Sequence, residues 1–200
     1  MLSHIRASLV MIVGLTLITG IVYPLAMTEI AQTAFPNQAN GSLVVKDGKI
    51  VGASLIGQSF TTARYFHGRP SATTAADPAD DTKTVSAPYN AQNSGGSNLA
   101  PTSKALIDRI GEDARNLHAE NPDVAIPVDL VTTSASGLDP DITPAAAYFQ
   151  VPRVAAERHV SVPQLRQLIA TQTQGRLLWV LGEPRVNVLA LNLALDKLSP

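Results

Sequence analysis

The stretch Ala7-Ser-Leu-Val-Met-Ile-Val-Gly-Leu-Thr-Leu-Ile-Thr-Gly-Ile-Val-Tyr-Pro-Leu-Ala-Met27 contains no formally charged residue and consists mostly of Leu, Ile, Val, Met, Ala and Gly. At 1.5 Å rise per residue, about 20 helical residues cross the roughly 30 Å hydrocarbon layer, and a helix satisfies its own backbone hydrogen bonds there. The stretch predicts one membrane crossing. His4 and Arg6 precede it, Glu29 follows it, and the next Lys or Arg is Lys46. By the positive-inside bias, the N-terminus stays cytoplasmic and the remainder lies outside. A cleaved signal peptide would have a shorter apolar core with a small-x-small cleavage site close behind. Tyr23-Pro24-Leu25 stands where that site would be wanted. Residues 1–35 are therefore expected to form a cytoplasmic tip and a retained transmembrane helix, and residues 36–200 an extracytoplasmic domain. Thr16, Gly20 and Pro24 recur every fourth residue on one helical face, where a second membrane helix could approach closely.

Roughly 170 residues remain beyond the anchor, enough for one domain with a real core. The chain of 200 residues has a net charge of -1 with both signs mixed, which argues against nucleic acid as a partner. The absence of cysteine excludes disulfides, thiolate catalysis and thiolate metal ligation. With 4% aromatic residues and 14 prolines, the domain is turn-rich and thin in large core side chains.

Asp47-Gly48, between Ser42-Leu-Val-Val-Lys46 and Lys49-Ile-Val-Gly-Ala-Ser-Leu-Ile56, is a hairpin signal, because both central residues of such a turn need positive φ. Arg69 to Pro101 lacks apolar periodicity and reads as an extended loop. Helical periodicity returns after Thr102, a candidate cap, with Leu106, Ile107, Ile110, Ala114 and Leu117 on one stripe. Ile126 to Thr132 has the look of a short strand. Thr143-Pro144 opens a helix over 145–156, Ser161 and Gln164 form a capping box, and a last helix over 188–198 stacks Leu191, Leu195 and Leu198. The fold class expected is α+β: a single N-terminal transmembrane helix, then a small mixed domain with a short antiparallel sheet and several helices.

Three polar segments could carry chemistry. Asn93-Ser94-Gly95-Gly96-Ser97-Asn98 offers backbone donors in an open turn where an anion could sit, although no Gly-Lys-Ser/Thr phosphate loop exists. In Thr132-Thr-Ser134-Ala-Ser136-Gly137-Leu-Asp139-Pro-Asp141-Ile-Thr143, the two carboxylates could hold a hard cation together with the hydroxyls and a backbone carbonyl, or make side-chain-to-backbone turns. The pattern lacks a calcium loop's terminal Glu. Gln150, a polar residue between Phe149 and Val151, could touch a ligand or hold neighbouring backbone. A Ser-His-acid hydrolase built from Ser134 or Ser136, His67 or His159, and Asp139 has no Gly-x-Ser-x-Gly elbow behind it, and the four histidines lack zinc-ligand spacing.

Several blocks resemble a known family, the C subunit of the bacterial Kdp potassium-transporting P-type ATPase. They include Ile18-Thr-Gly-Ile-Val-Tyr-Pro-Leu25, Gln38-Ala-Asn-Gly-Ser-Leu43, Ser54-Leu-Ile-Gly-Gln-Ser-Phe60 and Tyr65-Phe-His-Gly-Arg-Pro-Ser-Ala72. Further blocks are Ser94-Gly-Gly-Ser-Asn-Leu-Ala100, Val131-Thr-Thr-Ser-Ala-Ser-Gly-Leu-Asp-Pro140, Ile142-Thr-Pro-Ala-Ala-Ala147, Gln150-Val-Pro-Arg-Val-Ala155 and Val186-Asn-Val-Leu-Ala-Leu-Asn-Leu-Ala-Leu-Asp196. The resemblance implies a non-catalytic accessory and assembly subunit of a high-affinity potassium uptake complex in the bacterial inner membrane. Its implied partners are the channel-like A subunit, the ATPase B subunit and the small F subunit. It further implies a catalytic-chaperone role in ATP affinity, with nucleotide or partner contact at Ser94, Gly95, Gly96, Ser97, Asn98, Ser134, Ser136, Gly137, Asp139 and Gln150. No tightly bound cofactor is expected, and ATP, if bound at all, would bind weakly. An outward-facing domain lies across the membrane from cytoplasmic ATP. The rival reading is a free-standing, membrane-anchored binding protein or hydrolase.

Overall fold

The computed structural model describes residues 2–198 and divides the chain into two compact units, residues 1–53 and 54–200. In the first unit, α1 (Leu2–Leu17), a π-helical turn (Ile18–Val22) and α2 (Tyr23–Ala34) form one unbroken helix. His4–Ala34, with a peak mean hydropathy of 2.2, is long and apolar enough to cross a membrane. The wide turn has a local cause. Pro24 has no N–H to donate and its ring crowds the carbonyl four residues back, so the Tyr23 N–H reaches Ile18 instead. Steps of four residues overshoot an α-turn by about 40°, and a turn that takes in an extra residue works against that drift. Thr16, Gly20 and Pro24 thereby stay near one face, and the space beside Gly20 holds only the Thr16 methyl, at 4.0 Å from an added Cβ.

Pro36–Ala39 forms the short α3, and β1 (Leu43–Lys46) pairs antiparallel with β2 (Lys49–Ala53). Asp47 and Gly48 both have positive φ, 52° and 75°, as the hairpin reading requires.

The second unit places its core among α5 (Pro144–Phe149), α6 (Val151–Arg158), α7 (Val162–Gln172) and α8 (Val188–Asp196). A small antiparallel sheet lies beside them, ordered β5 (Asp141–Ile142), β7 (Arg185–Asn187), β6 (Thr173–Gln174). Leu165, Ile169, Val186, Leu191 and Leu195 are fully buried, with Phe66 brought in from an irregular segment. The Ser161–Gln164 capping box opens α7 and Thr143 caps α5, both as read from the sequence.

Four expectations need correction. Residues 69–101 are not all loop: β3 (Thr74–Asp77) and β4 (Asp80–Ser86) form a hairpin whose strands are largely solvent-facing, so no apolar alternation marks it. Residues 126–132 form a single 3₁₀ turn, Val128–Leu130, rather than a strand. Pro127 removes a ladder donor, and the Asp129 carboxylate instead accepts from the Thr143 N–H at 2.7 Å. α4 (Lys104–Glu120) starts after Ser103, not Thr102, and Ile107 of its stripe is exposed. The helix expected over 145–156 breaks at Gln150, because Pro152 cannot donate to the Tyr148 carbonyl. The neighbouring Phe149 carbonyl is taken up by the Asn121 side-chain amide at 2.9 Å.

Candidate functional site

The loops around Ser94 and Ser134 meet. The Gly95 N–H donates to the Ser136 carbonyl at 2.8 Å and the Ser94 hydroxyl donates to the same oxygen at 3.1 Å. Gly96 lies so close that an added Cβ would stand 3.0 Å from the Ala135 carbonyl. Gly137 is the tightest point of the junction. Its φ is +67°, and a Cβ there would lie 2.4 Å from the Thr73 methyl and 2.8 Å from the Gly95 carbonyl. Within the turn, the Ser134 hydroxyl accepts from the Gly137 N–H at 2.9 Å and the Ser136 hydroxyl from the Leu138 N–H at 3.1 Å. Both serines hold backbone.

Arg69 anchors the other side of this turn. Its guanidinium pairs with Asp139 at 3.0 Å and donates to the Thr132 and Thr133 carbonyls. Ser71 donates to the Gly137 carbonyl at 2.8 Å, and Thr73 donates to the Ala87 carbonyl at 2.6 Å. Tyr89 donates to the Arg69 carbonyl at 2.7 Å and leaves no room for a side chain at Gly57 or Gly68. Burial, reinforced by the Asp139 charge and partly offset by Arg69, pushes the Tyr89 phenol up to about 12. It stays a neutral donor. Spacing and motif chemistry mark none of Arg69, Ser71, Thr73 and Tyr89 as a site residue, although Arg69 and Ser71 fall within the Tyr65–Ala72 block that resembles the family.

The aspartates do not converge on a cation position. Asp139 faces Arg69, and Asp141 faces Arg185 at 3.0 Å and Asn187 at 3.3 Å. Burial raises the Asp141 carboxyl, Arg185 opposes that shift, and Asp139 adds to it. Among the described residues, no group of three His, Asp or Glu could hold a metal ion. The imagined hydrolase residues are likewise apart in role. His67 Nε2 donates to the Thr62 carbonyl at 3.0 Å, and His159 ends α6 in a left-handed conformation.

Gln150 lies elsewhere. It clamps the His67 backbone, accepting from its N–H at 2.7 Å and donating to its carbonyl at 3.1 Å. It also donates to the Ala146 carbonyl and accepts from Arg153, so both donors and both acceptor positions of the amide are used. Asn192, to which the sequence assigns no role beyond its place in the Val186–Asp196 block, does the same for Phe66, with both hydrogen bonds at 2.9 Å. Two clefts flank Arg69. One, of about 380 Å³, is lined by His67, Asp113, Asn116, Glu120 and Gln150; the other, of about 280 Å³, by Asp129, Asp139, Asp141 and Arg185. Each mixes both charge signs.

Residues 5–197 match the family described as "K+-transporting ATPase, c chain". The chain belongs to this family. It is 67% identical over 197 residues to the potassium-transporting ATPase KdpC subunit of Bradyrhizobium diazoefficiens, covering 98% of each chain. It is 65% identical over 199 residues to the KdpC subunit of Methylobacterium nodulans, covering 100% of this chain and 99% of that one. A third KdpC subunit, from Rhodopseudomonas palustris strain BisB18, is 65% identical over 196 residues. The match takes in the apolar helix, the Ser94–Ser136 junction and the amide clamps alike, so the family resemblance is not confined to one motif.

Proposed function

We propose that this chain is a non-catalytic accessory and assembly subunit of an ATP-driven potassium uptake complex, associating with channel-like, ATPase and small subunits. The observation that carries this reading is the end-to-end match to potassium-transporting ATPase C chains, joined to a single apolar helix long enough to span the membrane. The N-terminus lies inside and the second unit outside, in keeping with Arg6 before the span and Glu29 after it. Thr16, Gly20 and Pro24 form the face on which a partner's membrane helix packs. The hydroxyls and carboxylates of residues 134–139 are engaged with backbone or with Arg69, and the Gly95 N–H is already used. The junction of residues 94–98 and 134–139 therefore serves as a rigid partner-facing surface, and any influence on ATP affinity runs through transmembrane coupling.

The experiment is co-purification of the tagged chain with the other pump subunits from native membranes, alongside the ATP dependence of the pump with and without it. Gly20→Leu should weaken assembly by blocking helix approach, and unchanged assembly would remove that face from the mechanism. Tight nucleotide binding by the chain alone, abolished on altering Ser94 to Ser97, would overturn the partner-facing assignment. An activity that persists without the other subunits would favour the free-standing alternative.

A further inference from the structure

Leu177, Leu178, Trp179, Val180 and Leu181 form the tip of a narrow turn between β6 and β7, and the second unit covers none of them. Trp179 is 93% exposed and the other four are between 57 and 73% exposed. Five consecutive large apolar side chains facing water are far outside the scattered single exposures that folded surfaces tolerate. The backbone shape sharpens the anomaly. The Val180 N–H bonds to the Leu177 carbonyl, and Leu178 and Trp179 both have positive φ, 51° and 67°. That is a type I′ turn, whose central positions normally go to Asn and Gly because other side chains crowd there. Turn chemistry therefore does not explain Leu and Trp at its apex; the surroundings must.

We propose that the Leu177–Leu181 tip dips into the interface of the bilayer that this chain's own helix spans, seating Trp179 among lipid headgroups and upper acyl chains. The inference rests on the membrane-anchor reading and is independent of any role in the pump. Three observations favour lipid over a protein groove. Four of the tip's five N–H groups bond within the turn: Leu177 and Leu181 exchange both hydrogen bonds, at 2.8 and 2.9 Å, and the Trp179 and Val180 N–H groups bond to the Arg176 and Leu177 carbonyls. The few backbone groups left over at the apex suit the headgroup level, where water and lipid still offer hydrogen bonds. No charged side chain lies between Arg176 and Glu183, and those two close the base as an ion pair at 2.7 Å, where headgroups and water remain. The one polar group within the tip's side chains is the indole N–H, and indoles favour the boundary between lipid and water.

Trp179 is the only tryptophan in the chain, so its fluorescence reports the tip directly. The full chain is reconstituted into phosphatidylethanolamine–phosphatidylglycerol vesicles, with or without acyl chains brominated near their upper end. Flotation with the vesicles, blue-shifted emission, strong loss of intensity in brominated lipid and shielding from acrylamide are expected. Leu178→Asp should still float on its helix, while its Trp179 emission moves to the red and bromine quenching disappears. A chain that floats with water-like, acrylamide-accessible Trp179 overturns the proposal. So does Trp179 that is blue-shifted yet unquenched by brominated lipid, alone or only after the pump subunits are added, since a protein surface would then cover the tip. Failure to float would overturn the anchoring on which the proposal rests.

Discussion

Two irregular segments of the second unit solve the backbone's demand for hydrogen bonds in opposite ways. Residues 62–69 run through the protein without regular structure, and side chains from distant helices meet their polar groups: Asn192 at Phe66, Gln150 at His67, Arg153 at the Tyr65 carbonyl and Arg158 at the Arg64 carbonyl. The turn at residues 177–181 pairs most of its N–H groups within itself and turns its apolar side chains outward. A segment bound by others can bury Phe66 in the core. One whose bonds are local, with no side chain of the fold holding it, is free to face a different medium. The source of each segment's hydrogen bonds thus separates a part of the scaffold from a part available for contact.

The sharpest way to break this comparison is to remove one clamp. Asn192→Leu keeps a similar volume but leaves the Phe66 N–H and carbonyl buried without partners, each at about 1–3 kcal/mol, so a loss of about 2–6 kcal/mol is expected. Denaturant unfolding of the reconstituted chain measures it. A loss below about 1 kcal/mol would mean that water replaces the amide and that the segment is not held as described.

Next in size is Gly137→Ala at the junction of the candidate loops. The added methyl collides with the Thr73 side chain and the Gly95 carbonyl, and the positive φ disfavours alanine. A destabilisation of about 1–3 kcal/mol is expected from the overpacking, together with weaker protection of the Gly95 amide from hydrogen exchange. Full protection with a destabilised fold would show that the two loops do not depend on each other.

What could be read from the sequence follows the range of the interactions. Asp47-Gly48 and the Ser161–Gln164 box are local, with the residue types and the geometry contained in a few positions, and both were legible. The apolar helix was legible for the same reason, though not its wide turn at Ile18–Val22. The β3–β4 hairpin was missed because its strands carry Thr, Ala, Asp and Lys toward solvent, so neither face is marked. The clamps join residues 83 and 126 apart, and Arg69 finds Asp139 across 70 residues. No spacing rule announces such pairs. The Ser94 and Ser134 segments could be singled out as composition, yet only the fold shows them sharing the Ser136 carbonyl.

A smaller effect tests the clamp's electrostatics. Burial lowers the pKa of His67, and Arg153 adds to this while the Thr62 hydrogen bond and Glu120 oppose it. The native state therefore resists a proton that the unfolded chain accepts below about pH 6.5, so stability falls as pH drops from there toward the lowered native value. His67→Gln, which can still donate to the Thr62 carbonyl, should flatten that part of the stability profile. An unchanged slope would assign the pH dependence to another group.

The smallest stability effect belongs to the exposed turn, and its smallness is the point. Leu178→Asn replaces a side chain with no packing in the fold by one that tolerates positive φ, so stability should change by no more than about 0.5 kcal/mol, in the favourable direction if at all. The same substitution should diminish Trp179 quenching by brominated lipid, because one of the tip's two apical apolar groups is gone. Asn192→Leu should do the reverse, lowering stability while leaving the lipid quenching of Trp179 intact. If Leu178→Asn instead destabilised the chain as much as removing a clamp, Leu178 would be packed within the protein in solution. The contrast between a segment held by the fold and one turned away from it would then collapse.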